Sequence, residues 1–314
     1  ADPNNVGRFY WSNAGDVTTW DALSFATAES CADPLTAVFE SNGELLLFGL
    51  QTLEFWAPTG DTSVFARIGS SGANVGTDAI DTIRKVGNRV MFMGREQSGA
   101  GTYSVFVLEG YQPRPVTTPD VADDIRRFGD SGATASVVTW DGHTFYVLNL
   151  GTKSWAYDTT TDSWALWSTD DTRFAGNYVT QFNQYQVLSD WRDSRLYYTD
   201  DVYTDDSDTL AREVTSRHVF GGMGRLSCHE LVVDFEMGVG LTSGQGVAPQ
   251  VMLQVSKDGG HTWGNEMWRS LGAKGQYKKR AVWLRLGSAR DWMFKLRVTD
   301  PVKFVVAGAY GRFD

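Results

Sequence analysis

Apolar and polar residues alternate through 251–256 and 293–298, the period-two signature of half-buried strands. The signature recurs along the chain in short pieces joined by turn signals. Segments 36–40 and 44–48 flank Ser41-Asn42-Gly43, and segments 135–140 and 143–150 flank Asp141-Gly142. Asn-Gly and Asp-Gly steps supply the positive backbone angles that tight hairpin turns demand, so both pairs are predicted hairpins. Strands at 53–56 and 64–68 complete a first sheet of four. A second pair, 89–93 and 103–108, surrounds a Gly-Ala-Gly loop at 99–101, and further strands follow at 154–158, 163–167, 178–182, 186–189 and 196–198. One stretch departs from the pattern. Val121, Ile125 and Phe128 recur at helical spacing, with Thr118 or Asp120 placed to cap a short helix over 118–128.

The reading is an all-β chain. Groups of roughly four short strands, repeating about every 40–50 residues, describe the blades of a β-propeller, although stacked sandwiches predict the same strand-turn-strand pattern. Tyr157-Asp158 followed by Trp164 loosely resembles the kelch type of blade. An acidic loop over 200–208 reads as a solvated connector. It lacks the glycine and the distal glutamate of an EF-hand loop. With a boundary near Ala211, a propeller-like array of short antiparallel sheets occupies 1–211. A C-terminal strand-rich antiparallel module occupies 212–314 and could pack onto or complete that array. Strands are expected in the module at 229–236, 251–256, 281–286, 293–298 and near 303–310, with hairpin chemistry at Asp258-Gly259-Gly260. The glycine-rich stretch 238–246 is followed by Pro249 and a strand, not by the helix of a phosphate-binding loop.

Composition supports this picture. The chain has 314 residues, 33 of them glycine and 41 aromatic, which suits many short strands joined by tight turns. Its apolar runs are far shorter than the ~20 residues a membrane-spanning helix needs, and no basic-then-apolar signal peptide opens it. Cys31 and Cys228 stand far apart, outside any Cys-x-x-Cys pattern, and read as two reduced, partly buried thiols. The net charge of −10 is unevenly spread: residues 1–211 hold 13 Lys or Arg against 29 Asp or Glu, and residues 212–314 hold 15 against 9. A protein that grips DNA presents a basic face that releases counterions from phosphates. An acidic majority suits instead a surface past which DNA slides without sticking, and it also serves solubility.

Catalytic motifs are sparse. Ser256-x-Asp258-x-Gly260-x-Thr262-Trp263 fits the Asp-box pattern that recurs in sialidases and other propeller glycosidases, where an aspartate ties a turn to backbone donors over a packed tryptophan. We read Ser256, Asp258, Gly260, Thr262 and Trp263 as such a structural turn. His229-Glu230 lacks the second histidine of a zinc protease, and neither a Gly-x-Ser-x-Gly nucleophile motif nor a Gly-x-x-x-x-Gly-Lys loop occurs. The histidines, 143, 218, 229 and 261, have no ligand spacing. No catalytic residue, metal or cofactor is therefore assigned. Lys274, Lys278, Lys279 and Arg280, interleaved with Tyr277, form the one real basic cluster. They are candidates for an inter-subunit contact on an acidic surface, or for contact with passing DNA; a solvated loop is the third reading.

The order of motifs carries a further signal. The strand before Asp258-Gly259-Gly260-x-Thr262-Trp263, Glu266-x-Trp268, the Gly275-x-Tyr277-x-x-Arg280 loop, Arg290-Asp291-x-x-Phe294 and Asp300-Pro301-Val302-Lys303 resemble the tail proteins of short-tailed bacteriophages. Segments 19–29, 43–49, 110–113, 201–205 and 238–246 extend the resemblance over most of residues 8–310. The family it points to is the packaged-DNA stabilisation protein, the hub or nozzle below the portal. The resemblance implies a ring-forming homo-oligomer, a hexamer, that extends the DNA channel, retains the genome and acts without chemical turnover. It implies contact with the portal adaptor, a tail needle or plug, fibres or spikes, and double-stranded DNA passing without sequence-specific binding. It also implies assembly in the host cytoplasm and sequence ahead of Arg8 that is missing here. The alternative reading is a propeller glycosidase or glycan-binding tail component, resting on the single Asp-box and on Trp155, Trp164, Trp167 and Trp191 as sugar-stacking platforms.

Overall fold

Val90-Met91-Phe92-Met93 does not alternate in polarity because both faces of its sheet are covered. Met91 and Met93 turn to one core with Tyr146 and Leu148, while Val90 and Phe92 turn to another with Phe48 and Phe55. A strand buried on both sides loses the polar half of the period-two signal and reads as a continuous apolar run.

The structure, a computed structural model, describes residues 7–13, 15–28, 33–60, 64–97, 102–129, 132–200, 202–206 and 208–314. Cys31, the opening Ala1-Asp2-Pro3, the Gly-Ala-Gly loop at 99–101 and Asp201 of the acidic loop lie outside these residues. The chain divides into two units, Ala1–Asp200 and Asp201–Asp314.

In the first unit, sheets follow one another in chain order. Arg8–Tyr10 pairs with Phe25–Thr27. The next sheet is a four-stranded meander of Leu35–Ser41, Glu44–Gly49, Leu53–Pro58 and Phe65–Ala73. A five-stranded sheet is built on Arg89–Glu96 and Tyr103–Glu109, flanked by Val75–Gly76, Arg84–Val86 and Gln112–Pro115. After the helix Pro119–Phe128, another meander runs through Thr134–Trp140, His143–Asn149, Ser154–Asp158, Ser163–Thr169 and Thr172–Arg173. A three-stranded sheet, Gly176–Phe182, Tyr185–Asp190 and Leu196–Tyr198, ends the unit. Neighbouring sheets share cores: Phe9 reaches Leu47 and Trp56, Phe55 reaches Phe106, Met93 reaches Tyr146, and Val179 packs on Val147. Within each sheet every main pairing is antiparallel and joins near neighbours in sequence, the pattern of propeller blades.

The predicted hairpins form at Asn42-Gly43 and Asp141-Gly142, where Asn42 (φ 56°) and Asp141 (φ 48°) adopt the left-handed conformation the turn requires. The helix begins at Pro119, with Thr118 as its N-cap residue. Thr118 makes no side-chain capping bond, and the proline at the first helical position, which has no N–H to satisfy, starts the helix instead. Val121 and Ile125 are fully buried, and Phe128 is 36% exposed, with the Lys153 ammonium 5.7 Å from its ring. The short flanking strands Val75–Gly76, Arg84–Val86 and Gln112–Pro115 escape pattern reading, because two to four residues cannot display a period.

The second unit is a two-layer sandwich with a small hairpin, Thr204–Asp205 with Asp208–Thr209, ahead of it. One layer runs in the order Arg212–Thr215, Asp291–Val298, Gln250–Ser256, Met267–Ser270, with Val219–Phe220 on the second strand. The other runs Ala281–Ala289, Leu226–Phe235, Val306–Phe313. Between them lies one core containing Leu231, Val233, Leu253, Trp283, Trp292 and Leu296. Trp283 and Trp292 are wholly buried, and each donates its indole N–H to a backbone carbonyl, Met267 O at 2.9 Å and Leu226 O at 3.1 Å. A buried indole left unpaired would forfeit this bond.

Candidate functional site

The aspartate turn follows the strand Gln250–Ser256. Ser256 is fully buried, and its hydroxyl donates to Asp258 Oδ1 at 2.7 Å while accepting the Gly260 N–H at 2.8 Å. Asp258 then collects Thr262: the backbone N–H reaches Oδ1 at 2.9 Å and the hydroxyl reaches Oδ2 at 2.6 Å. These donors, led by the Thr262 hydroxyl, pull the Asp258 pKa down to about 2. Gly260 sits at φ 92°, and a side chain there would also press on Met293 Sδ. Trp263 is half-buried with the Lys295 ammonium 4.4 Å above its ring, a cation–π contact and not a core position.

The Asp-Gly-Gly step does not close a tight hairpin. Gln250–Ser256 pairs with Met267–Ser270 in a register from Gln250↔Ser270 to Leu253↔Met267, so residues 257–266 form a broad excursion. The carboxylate organises this excursion internally instead of turning the chain back at once. Asp291 supports it from outside, through an isolated bridge to Asp258 and bonds of 2.8–2.9 Å with His218 Nδ1. Sequence reasoning saw Asp291 only within a motif and gave it no role; two residues 73 positions apart carry no local signal.

Lys274, Lys278, Lys279 and Arg280 are all exposed on the loop that follows Leu271. Arg280 Nε lies 3.1 Å from Asp234 Oδ1. Among the described residues, no carboxylate comes within ion-pair distance of Lys274, Lys278 or Lys279. The loop is anchored to the glycine-rich stretch: Tyr277 covers Gly238 so closely that a Cβ there would meet its ring at 2.7 Å, and the Lys274 backbone abuts Gly240. The ends of the stretch 238–246 are thus packed while 241–245 are exposed, and Leu241 N–H is bonded to Gly246 O at 2.8 Å. The aspartate turn and the basic loop follow Gln250–Ser256 and Met267–Ser270, antiparallel neighbours, and so leave the sheet at opposite ends.

Three of the four tryptophans weighed as sugar platforms are structural. Trp155 donates to Asp124 Oδ2 at 3.1 Å, Trp164 donates to Val116 O at 2.7 Å, and Trp167 packs between Phe145 and Phe174. Trp191 is exposed, with Arg173 stacked 4.5 Å from its ring. Two shallow cavities of about 300 Å³ open on the first unit. Glu44 is the one carboxylate lining either of them, and it accepts the Tyr111 hydroxyl at 2.8 Å. His143, His218 and His229 each pair with a separate aspartate, Asp158, Asp291 and Asp314. Among the described residues, no three His, Cys, Asp or Glu side chains converge to hold a metal ion, and no helix is long and apolar enough to cross a membrane. Cys228 is a buried free thiol whose pKa is raised by desolvation.

Comparison with known proteins follows the same division. Residues 4–203 match the β-propeller model of bacteriophage P22 Gp10, and residues 211–313 match the β-sandwich model of the same protein. No curated protein sequence matches the chain. Among solved structures, the exo-β-1,3-galactanase of Phanerochaete chrysosporium aligns with 93% of this chain and 71% of its own, at 7% identity and a TM-score of 0.30. A glycoside hydrolase family 43 arabinoxylan arabinofuranohydrolase from Bacillus subtilis aligns with 88% and 66%, at 9% identity and a TM-score of 0.28. A Bombyx mori β-fructofuranosidase gives 91% and 69%, at 11% identity and 0.20. Superpositions this loose carry no argument for a glycosidase. The two family matches, which follow each other along the propeller and the sandwich, place this chain in the bacteriophage P22 Gp10 family of phage structural proteins.

Proposed function

We propose that this protein is a ring-forming tail hub, or nozzle, of a short-tailed phage, which extends the DNA channel below the portal and docks other tail parts. The observation that carries the reading is family membership across both units. The charge supports it. The first unit, 1–200, holds 13 basic side chains against 25 acidic, and the second, 201–314, holds 15 against 13. Like-charge repulsion from an acidic wall keeps a polyanion moving, whereas a basic wall would trade counterions for phosphates and hold it. The action is steric and electrostatic, with no bond made or broken.

Cyclic assembly needs two different patches that meet head to tail. The three unpaired lysines of the 274–279 loop and the acidic first unit of a neighbouring copy are our candidates. A homo-hexamer bound to the portal adaptor, to a needle or plug and to fibres or spikes is the arrangement the family suggests. Electron microscopy of the full chain mixed with its portal adaptor tests this directly. The expected particles are closed rings with a central hole; monomers alone at micromolar concentration would overturn the reading.

A further inference from the structure

Of the two cavities on the first unit, one has the chemistry to accept a cation and the other to refuse one. The first, about 310 Å³, lies where the turns at Asn42, Asn88 and Gly110 come together. Leu46, Phe55, Val90 and Leu108, all buried, give it an apolar lining. Glu44 is its only carboxylate, and Oε1 accepts the Tyr111 hydroxyl at 2.8 Å. That donor is neutral, and among the described residues no Lys or Arg comes within ion-pair distance of Glu44. The Tyr111 ring, 37% exposed, meets Phe55 edge-to-face with centroids 4.9 Å apart. The neighbouring cavity is lined by Arg89 and by no acidic group. An unmatched carboxylate, a phenol ring and apolar walls together suit a lysine side chain, whose ammonium seeks the first two and whose methylene stem covers the third.

Lys274 is the lysine of the basic loop best placed to project. Gln276 N–H bonds to Ala273 O at 3.0 Å and Gly275 sits at φ 86°, so 273–276 form a tight turn with Lys274 at its corner. The turn is held on both sides. Ala273 N–H donates to Gln276 Oε1 at 3.3 Å, and a Cβ on Gly240 would meet Lys274 N at 2.9 Å and Ala273 Cα at 3.0 Å. A side chain carried on a turn already fixed gives up little backbone freedom when it docks. Lys278 and Lys279 lie beyond Tyr277, whose ring covers Gly238.

We infer that Lys274 of one copy enters the Glu44 cavity of a second copy, with its ammonium on the Glu44 carboxylate beside Tyr111 and its stem against the apolar lining. The inference rests on the ring proposed above and names the contact that closes it. The cavity belongs to the first unit and the turn to the second, two different surfaces, as head-to-tail closure requires. Their charges are opposite: the acidic first unit receives and the unpaired lysine gives.

The test follows ring assembly of the full chain by native mass spectrometry across a range of concentrations. Glu44→Gln keeps an acceptor for the Tyr111 hydroxyl and removes only the charge. It should raise the concentration at which rings half-assemble by at least about tenfold, with the melting temperature little changed. Lys274→Glu and Glu44→Lys should each weaken assembly at least as much, and the two together should restore it to within about threefold of wild type. A second measurement leaves the protein unaltered. In an equal mixture of isotopically labelled and unlabelled wild-type chains, a carbodiimide should couple Lys274 of one to Glu44 of the other. Rings that survive Glu44→Gln, or singly reversed variants that the double reversal does not rescue, overturn the pairing and leave the ring reading standing. So does coupling confined to single chains. A wild type that forms no rings overturns the ring reading, and this contact with it.

Discussion

Asp258 shows how much one exposed carboxylate can organise when its partners are local. Its pKa, ordinarily 3.8, is pulled to about 2 by Thr262 and Ser256. A carboxylate with a depressed pKa contributes stability that is complete above its unfolded value and lost as pH falls through the folded one. Between pH 3.8 and about 2, wild-type protein should therefore lose melting temperature faster than Asp258→Asn, which has no such charge to lose. Thermal scans of the pair at several pH values check this; parallel slopes would remove the turn's electrostatic role. The difference is the readout, because Asp16, Asp123, Asp158 and Asp190 are also depressed and titrate in both proteins.

Asp33 does a similar task in a tighter place. It accepts the backbone N–H groups of Leu50, Gln51 and Thr52 at 3.0, 2.7 and 2.9 Å, clamping the turn after Glu44–Gly49. A Cβ on Gly49 would stand 2.3 Å from Asp33 Oδ2. Gly49→Ala must therefore expel the carboxylate from its donors, at a cost of about 2–4 kcal/mol in chemical denaturation. The motif that fits a named pattern, at 256–263, was legible in the sequence. The Asp33 clamp was not, because its acceptor and donors are separated by a whole strand.

At the scale of elements, the helix is tied to the sheet behind it through a buried charge. Asp124 lies on its inner face, with Lys153 Nζ 2.8 Å from both carboxylate oxygens and Trp155 Nε1 at 3.1 Å. Lys153→Met leaves that buried carboxylate with one neutral donor. Because the ammonium itself is partly solvated, the expected loss is about 1–3 kcal/mol, not the larger value of a fully desolvated pair. Urea unfolding measures it, and Asp124→Asn with Lys153→Met together should recover part of the loss. Most longer strands and both two-residue turns could be read from polarity and Asn-Gly or Asp-Gly steps. What could not be read was the excursion at 257–266. Two glycines after an aspartate satisfy a tight hairpin and a wide loop equally well, and only the pairing of Leu253 with Met267 decides.

At the scale of the molecule, the family match settles that a propeller and a sandwich share the chain. Polarity patterning alone left stacked sandwiches open, since blades and sandwiches use the same short antiparallel strands. The charge contrast between the units is milder than the 1–211 division implies, because acidic residues of the connector belong with the second unit. Assembly should nevertheless depend on the basic loop. Arg280 is held by Asp234, so reversing Lys274, Lys278 and Lys279 to Glu should abolish rings in native mass spectrometry, while Arg280→Glu alone has a smaller effect. Intact rings from the triple variant would remove the loop from the interface.

The order in which strands pair bears on how the protein emerges from the ribosome. Each sheet of the first unit is assembled from neighbours in sequence, so it can close soon after its own residues leave the exit tunnel. The sandwich cannot. Leu226–Phe235 waits for Ala281–Ala289 and then for Val306–Phe313, and Arg212–Thr215 waits for Asp291–Val298. Nascent chains whose first 200 residues have cleared the exit tunnel should already resist protease there, whereas those with Val306–Phe313 still enclosed should yield a resistant first unit and a degraded remainder. Along these residues, sheets made of sequence neighbours are thus complete while the sandwich layers still wait for Val306–Phe313.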